Sequence, residues 1–326
     1  MLPTNETSNF VHPIATGLRA TVIGTIGILT ISANCISISV LRLTKQIPYI
    51  ARICLINLGA ADLMVGLVAC LPSIVPAIIS EWPFGDVWCQ ISGISHGVSV
   101  TVSIWSISAV SLDRYVAIIY PLRYNQIVTV KRLMWLLLGM WTLAIATFFI
   151  PLPTKSNFIY YRYSEANCMC GLFWEYPWFC VITAIYIPIL SGACLLFTTV
   201  KIIKSIKLIK NQVGPASLDG NSGVNKKDVK AVKLLIITTL AYFTCWGPYV
   251  VQVVFESFFK EIAIHPVLSF CTVWLANSNS FGNVVIYILI YSSFRRNAIM
   301  VMKEAGKGNC CPAELNDRAD TFETSG

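Results

Sequence analysis

A few ionisable side chains sit inside or at the ends of long apolar runs, and their types limit the chemistry on offer. Asp62 is the lone acid in the middle of NLGAADLMVG, and Asp113-Arg114 closes the run that opens near Cys89. A carboxylate at bilayer depth costs about 2.5–3.5 kcal/mol even on insertion scales, so Asp62 needs polar partners, a proton or a cation. Asn34, Ser103, Asn279, Ser280 and Asn283 fall at similar depth on other runs. With Asp62 they form a hydrated polar cluster, and Asp62 and Ser103 are the candidate ligands of a sodium ion. The structural alternative is a neutral, hydrogen-bonded core acid. Arg114 also needs a carboxylate partner at its depth. Asp113 beside it, and Asp228 at the near end of the sixth run, are the two candidates.

Catalysis has no comparable support. The three histidines, His12, His96 and His265, are scattered, and no His/Cys/Glu group has metal-ligand spacing. There is no glycine-rich phosphate loop and no nucleophile elbow at a strand–helix junction. Asp62 and Asp113 lie at different depths, which argues against an aspartyl protease of the membrane. The expectation is a non-enzymatic protein with no cofactor beyond that sodium ion.

The elements that must hold these groups follow from composition. Hydrophobic residues make up 56% of the 326 and charged residues 12%, with a mean hydropathy of +0.68. A soluble domain carries about 25% charge, so lipid is the solvent here. Seven apolar runs, about 16–43, 51–79, 86–119, 130–151, 174–203, 230–259 and 265–291, are each long enough to span a bilayer; the fifth can also start at Trp178. The polar opening from Met1 to His12 does not read as a cleavable signal peptide. With the N-terminus outside, 20 of the 24 Lys and Arg fall on the inner side, as the positive-inside rule requires. The fold class is therefore an all-α membrane protein, a seven-transmembrane helix bundle. An amphipathic stretch with Ile299, Met300 and Met302 adds a short eighth helix lying on the inner surface. Residues 1–15 are an extracellular N-terminus, 16–304 the seven-helix domain with its eighth helix, and 305–326 a cytoplasmic tail. The net charge of +8 and the basic face of Lys201, Lys204, Lys207 and Lys210 fit contact with anionic membrane lipids and not with nucleic acid.

Several covalent features fit this topology. Asn5-Glu6-Thr7 is a glycosylation acceptor outside, and Cys310 and Cys311 are candidate palmitoylation sites inside. Cys89 faces an oxidising compartment and is expected to pair with a cysteine of the loop after span four. Cys168 is the first candidate and Cys170 the alternative. Tied at its middle, that loop must lie over the bundle mouth as a lid. Pro188 opens a local bulge in span five, and Gly247-Pro248 weakens span six.

Asn34, Asp62, Trp82-x-Phe84-Gly85, Cys89, Asp113-Arg114-Tyr115, Trp141, Pro188, Cys245-Trp246-Gly247-Pro248 and Asn283-x-x-x-Tyr287 occur in this order. On those motifs the chain resembles the rhodopsin-like (class A) G-protein-coupled receptors over about residues 16–304. WLANSNSFGNVVIY and PLRYNQIVT are most similar to an orphan branch with high basal activity. The resemblance implies a plasma-membrane receptor that signals to heterotrimeric G proteins, with arrestin as a second partner. It implies a resting Arg114 clamp on Asp113 and Asp228, and an outward swing of span six about Pro248. Ile104, Pro188 and Tyr242 would transmit the change, and Asn283 and Tyr287 belong to the same switch. A ligand cavity is expected between the outer halves of spans three, five, six and seven, lined by His96, Thr101, Cys180, Trp246, Tyr249, Val273 and Asn277. His96 stands where amine-binding members carry an aspartate, which argues against a bound monoamine. Asn277 replaces the retinal-binding lysine of opsins. The ligand, whether small molecule, lipid or peptide, is not specified, and the lidding loop could itself fill the cavity. Three departures bear on switching: Val284 replaces a proline, Leu196 a tyrosine and Tyr242 a phenylalanine. The competing class is a transporter or channel conducting along the polar residues of spans two, three and seven.

Overall fold

In the computed structural model of the chain, the described residues are 13–43, 47–149, 161–172, 177–212, 226–259, 262 and 264–307. Among them, seven helices are long and apolar enough to cross a membrane. These are α1 (Pro13–Leu43), α2 (Tyr49–Ile79), α3 (Gly85–Ile119), α4 (Val130–Phe149), α5 (Trp178–Leu208), α6 (Lys226–Phe258) and α7 (Pro266–Ile290). An eighth helix, α8 (Ser292–Gly306), follows the break at Tyr291. Each of the first seven overlaps one of the apolar runs. In α3 and α7, 56% of the apolar window is buried, against 17% in α4. The first two are thus enclosed by the bundle, and α4 lies at its edge with Trp135, Leu136 and Leu138 turned outward. Asn5, Cys310 and Cys311 lie outside the described residues.

Two prolines shape the helices that carry them. Pro188 lies within a π-helical segment, Ile185–Ile189, so the expected bulge in span five is present. A second π segment, Val65–Cys70, interrupts α2 just before Pro72. Pro72 has no N–H to give to the carbonyl four residues earlier. That carbonyl, of Val68, accepts a hydrogen bond from Ser92 Oγ on α3 at 2.7 Å instead. His265 caps α7, its Nδ1 accepting from the Val267 N–H at 3.3 Å. At the other end, Phe294 of α8 is fully buried against Tyr287, with ring centroids 5.9 Å apart. Ile299 and Met302 are left on the exposed face.

The segment between α4 and α5 contains an antiparallel hairpin that the sequence patterning did not show. Strand β1 (Tyr161–Ser164) pairs with β2 (Met169–Leu172), Tyr161 opposite Leu172 and Tyr163 opposite Cys170. Gln90 of α3 holds the hairpin from below, donating to the Tyr161 carbonyl at 2.8 Å and accepting from its N–H at 3.1 Å. The ring of Tyr161 lies against Gly93, where a Cβ would come within 2.2 Å of it. The hairpin therefore lies over one end of the bundle as a lid.

The disulfide joins Cys89 to Cys170, which corrects the expected Cys89–Cys168 pairing. Cross-strand partners share a face of a hairpin, so Cys170 points the same way as Tyr163 and Tyr161, towards α3. Cys168 sits in the turn with a left-handed backbone, φ 55°. Its side chain is buried in the cluster of Ile23, Met169, Phe270 and Trp274, away from Cys89. Burial pushes the Cys168 thiol above its ordinary pKa, keeping it protonated and unreactive.

Candidate functional site

At the hairpin end, α3, α5, α6 and α7 enclose a cavity of about 220 Å³ roofed by Tyr161, Asn167 and Met169. All seven residues expected to line a ligand pocket, His96, Thr101, Cys180, Trp246, Tyr249, Val273 and Asn277, lie on its wall. His96 Nε2 lies 2.8 Å from Asn277 Oδ1, joining α3 to α7 across the cavity. An amide oxygen only accepts, so Nε2 carries the proton of that contact. The two side chains therefore satisfy one another.

The mouth holds a polar cluster that sequence reasoning missed. Gln252 of α6 donates to Glu256 Oε1 and to Ser269 Oγ of α7, both at 3.0 Å, and its own oxygen accepts from Thr272. Ser269 in turn donates to Asn167 Oδ1 at 2.9 Å, and Trp274 Nε1 donates to the Asn167 carbonyl at 3.0 Å. The hairpin turn is thus fastened to α7 and, through Gln252, to α6. Asn167 falls in an irregular loop with no periodicity, which left no signal. Glu256 did leave one: it is the only acid in the sixth apolar run beyond Asp228.

Below the cavity lies Trp246, 6.0 Å from the Tyr249 ring. Ile104 and Pro188 reach the cavity wall as well. Tyr242, one turn of α6 further on, donates its hydroxyl proton to the Pro188 carbonyl at 2.6 Å. The three residues expected to form a transmitting joint are brought together here.

The polar cluster around Asp62 assembles as expected from four helices. Ser103 Oγ donates to Asp62 Oδ1 at 2.6 Å, and Asn283 Nδ2 stands 3.5 Å from Oδ2. Asn34 Nδ2 donates to the Ser280 carbonyl at 3.0 Å, fixing α1 to α7. Asp62, Asn34, Ser103, Asn279, Ser280 and Asn283 are all buried. A second polar relay lies nearby: Trp141 Nε1 donates to Asn57 Oδ1 at 2.9 Å, and Asn57 Nδ2 to Ser106 Oγ at 2.8 Å.

At the far end of the bundle Arg114 grips Asp113 through two contacts to Oδ2, one from Nε at 2.9 Å and a closer one from Nη2. The other carboxylate oxygen accepts from the Tyr124 hydroxyl at 2.6 Å. Burial, then that hydrogen bond, hold the Tyr124 phenol above its ordinary pKa, so it remains a donor. Arg132 anchors the turn that carries Tyr124, donating to the carbonyls of Gln126 and Ile127 at 2.8 and 2.9 Å. Tyr115 packs on Tyr120 and on Phe197 of α5. The backbone of Asp228 belongs to α6, but its side chain lies outside the described residues. Two buried hydroxyl pairs that sequence reasoning did not single out link the neighbouring helices: Ser111 with Thr198 at 2.6 Å, and Thr199 with Thr239 at 3.0 Å.

The chain as a whole is similar to known receptors. The family model for the seven-transmembrane receptors of the rhodopsin family matches residues 33–287. The chain is 27% identical over 309 residues to the trace amine-associated receptor 8a of Rattus norvegicus, covering 89% of this chain and 88% of that one. It is 24% identical over 301 residues to the human histamine H2 receptor, with 90% and 82% covered. To the RYamide receptor of Drosophila melanogaster it is 26% identical over 298 residues, covering 87% of this chain and 63% of that one. Nothing among these relatives favours a transporter or channel. The chain belongs to the rhodopsin family of seven-transmembrane receptors and is a multi-pass G-protein-coupled receptor, a signalling protein and not an enzyme.

Proposed function

We propose that this receptor lies in the plasma membrane with the hairpin end outside and the Arg114 end facing the cytosol. A ligand in the cavity, or the hairpin itself acting as a tethered occupant, is read by α6. In the resting state Arg114 is clamped by Asp113, with Asp228 assigned as its second partner from α6. Activation swings the Arg114 end of α6 outward about Pro248 and frees Arg114 for a heterotrimeric G protein, with arrestin competing for the same crevice. A two-state element biased at one end and read at the other is what such a switch requires.

One observation carries this reading. Helix α3 carries Ile104 on the cavity wall and the Asp113–Arg114 pair, with Tyr124, at its other end, while α6 carries both Trp246 on that wall and Tyr242, which is bonded to Pro188 of α5. Asp62 supports a regulatory sodium site. Its carboxylate is fully buried, and among the described residues no cationic side chain pairs with it, so a proton or a cation must balance it. The oxygens of Asp62 and Ser103, joined at 2.6 Å, are hard donors suited to sodium. Glycosylation at Asn5 and acylation at Cys310 and Cys311 complete the assignment.

The test is nucleotide exchange on a panel of purified G proteins. Arg114→Ala should reach the cell surface yet lose activation, and spin-label distances from α6 to α3 should lengthen when G protein is added. Exchange with α6 immobile would overturn the proposal.

A further inference from the structure

The distribution of charge in the cavity narrows the class of ligand, an inference that rests on the receptor reading of this site. Among the described residues, Glu256 is the one acidic residue on the wall, and neither Lys nor Arg contributes to it. His96 is half-buried and already committed to Asn277 across the cavity. A carboxylate or phosphate entering here would lose its hydration and gain no counter-charge. A cation would meet Glu256. Gln252 occupies Glu256 Oε1, and among the described residues Glu256 forms no ion pair.

A second observation comes from the floor. The indole Nε1 of Trp246 is buried and has no hydrogen-bond partner, although Trp246 lines the cavity. A buried donor left unmade is costly, and a rotation of the indole that turns its N–H into the cavity would let a ligand acceptor satisfy it. Glu256 and Trp246 lie ten positions apart on α6, about 15 Å along the helix axis. The wall between them is apolar, with Val100, Ile187, Tyr249, Val253 and Val273. At about 220 Å³ the cavity is smaller than the roughly 300–1,000 Å³ of drug-sized sites, so a ligand reaching both ends must be slender.

We propose that the cavity binds an elongated organic cation, with its ammonium group on Glu256 at the mouth, an apolar shaft between α3, α5 and α7, and a hydrogen-bond acceptor on the Trp246 indole N–H. Charge recognition is thereby placed on α6, whereas α3 offers only His96; the expectation against a monoamine rested on α3 alone and does not extend to an amine held by Glu256. Glu256 is the specificity-determining residue for the sign of the ligand's charge.

The test uses the full-length protein in lipid nanodiscs and reads ligand binding by thermal shift, without G protein. The probes are 4-methoxyphenyl-alkylamines of increasing chain length, each beside the carboxylic acid of the same length. Amines long enough to span the two anchors should raise Tm saturably, and the matched acids should not. Glu256→Gln should weaken the amine by about tenfold or more, the loss expected for a charged hydrogen bond, and Glu256→Asp should recover part of it. Removing the methoxy group, or introducing Trp246→Phe, should weaken binding by a smaller factor. Equal stabilisation by acids, no stabilisation by any amine, or an amine shift unchanged in Glu256→Gln would each overturn the proposal. If the Glu256 variants fail to fold, as their unliganded melts will show, the amine-against-acid comparison in the unsubstituted protein decides. Failure of the probes leaves G-protein activation through Arg114 untouched, and loss of that activation leaves the binding result standing.

Discussion

The hydroxyl of Tyr242 on α6 donates to the carbonyl of Pro188 inside the π segment of α5, at 2.6 Å. The resemblance implies a phenylalanine at the Tyr242 position, which could not form this bond. It holds α6 to α5 beside the ring of Trp246 and within the buried core. Tyr242→Phe removes the hydroxyl and leaves the ring in place. The expected result is a loss of about 1 kcal/mol of stability, read as a lower Tm, together with higher basal nucleotide exchange. A variant with unchanged basal exchange would show that the bond is not part of the switch.

The two candidate disulfides make opposite predictions. Cys170→Ser should lower stability by about 2–5 kcal/mol and reduce surface expression, because the hairpin loses its tie to α3. Cys168→Ala should keep both, with the Cys89–Cys170 bond intact by peptide mapping, since Cys168 fills an apolar cluster and bonds to no other cysteine.

That contrast shows where the sequence was legible. Apolar runs and the bias of Lys and Arg are one-dimensional signals, and they placed all seven spans. The cavity residues came from the resemblance, whose motifs at Arg114, Pro188, Pro248 and Asn283 mark register along helices of regular rise. The hairpin was not legible, because a short loop strand has too little periodicity and its register depends on contacts with Gln90 and Gly93 from a distant helix. Choosing between Cys168 and Cys170 needed that register. The hydroxyl pairs were equally hidden, since a serine or threonine inside a span usually bonds to its own helix. Thr198 and Thr239 do so too, donating to Cys194 and Leu235 carbonyls, and nothing local marks the second bond.

Tyr124 offers a test of the clamp that leaves Arg114 and Asp113 unchanged. Its hydroxyl donates to the carboxylate oxygen that Arg114 does not hold. Tyr124→Phe leaves that oxygen without its donor and weakens the hold of the Arg132-anchored turn on α3. Basal exchange should rise two- to tenfold, on the order of 0.5–1.5 kcal/mol, with surface expression maintained. Equal exchange in the variant and the parent would separate the turn from the clamp.

Asp62 predicts a dependence on the cation present. If sodium is held by Asp62 and Ser103, exchanging sodium chloride for choline chloride should lower the Tm of the purified receptor, because a ligand of the folded state stabilises it by mass action. Asp62→Asn removes the charge but keeps the shape, so its Tm should be the same in both salts. A salt response that persists in Asp62→Asn would place the ion elsewhere.

The Thr199–Thr239 pair links α5 to α6 at the end where movement of α6 is proposed. Both residues are buried, and Thr239 also donates to the Leu235 carbonyl at 2.7 Å. One hydroxyl can donate only once, so the proton between the two threonines comes from Thr199 whenever Thr239 bonds to its own helix. Thr239→Val then leaves a buried Thr199 donor without its acceptor, which costs about 1–3 kcal/mol. Thr199→Val should cost less, because Thr239 keeps its bond within α6. The double variant replaces both groups by apolar ones of the same shape and should recover most of the stability lost in Thr239→Val. Basal exchange should follow the same order, highest in Thr239→Val and lower in the double variant, if this contact resists the outward motion of α6. Additive losses of Tm in the cycle would mean that the two hydroxyls do not interact, and the pair would then have no part in holding α6.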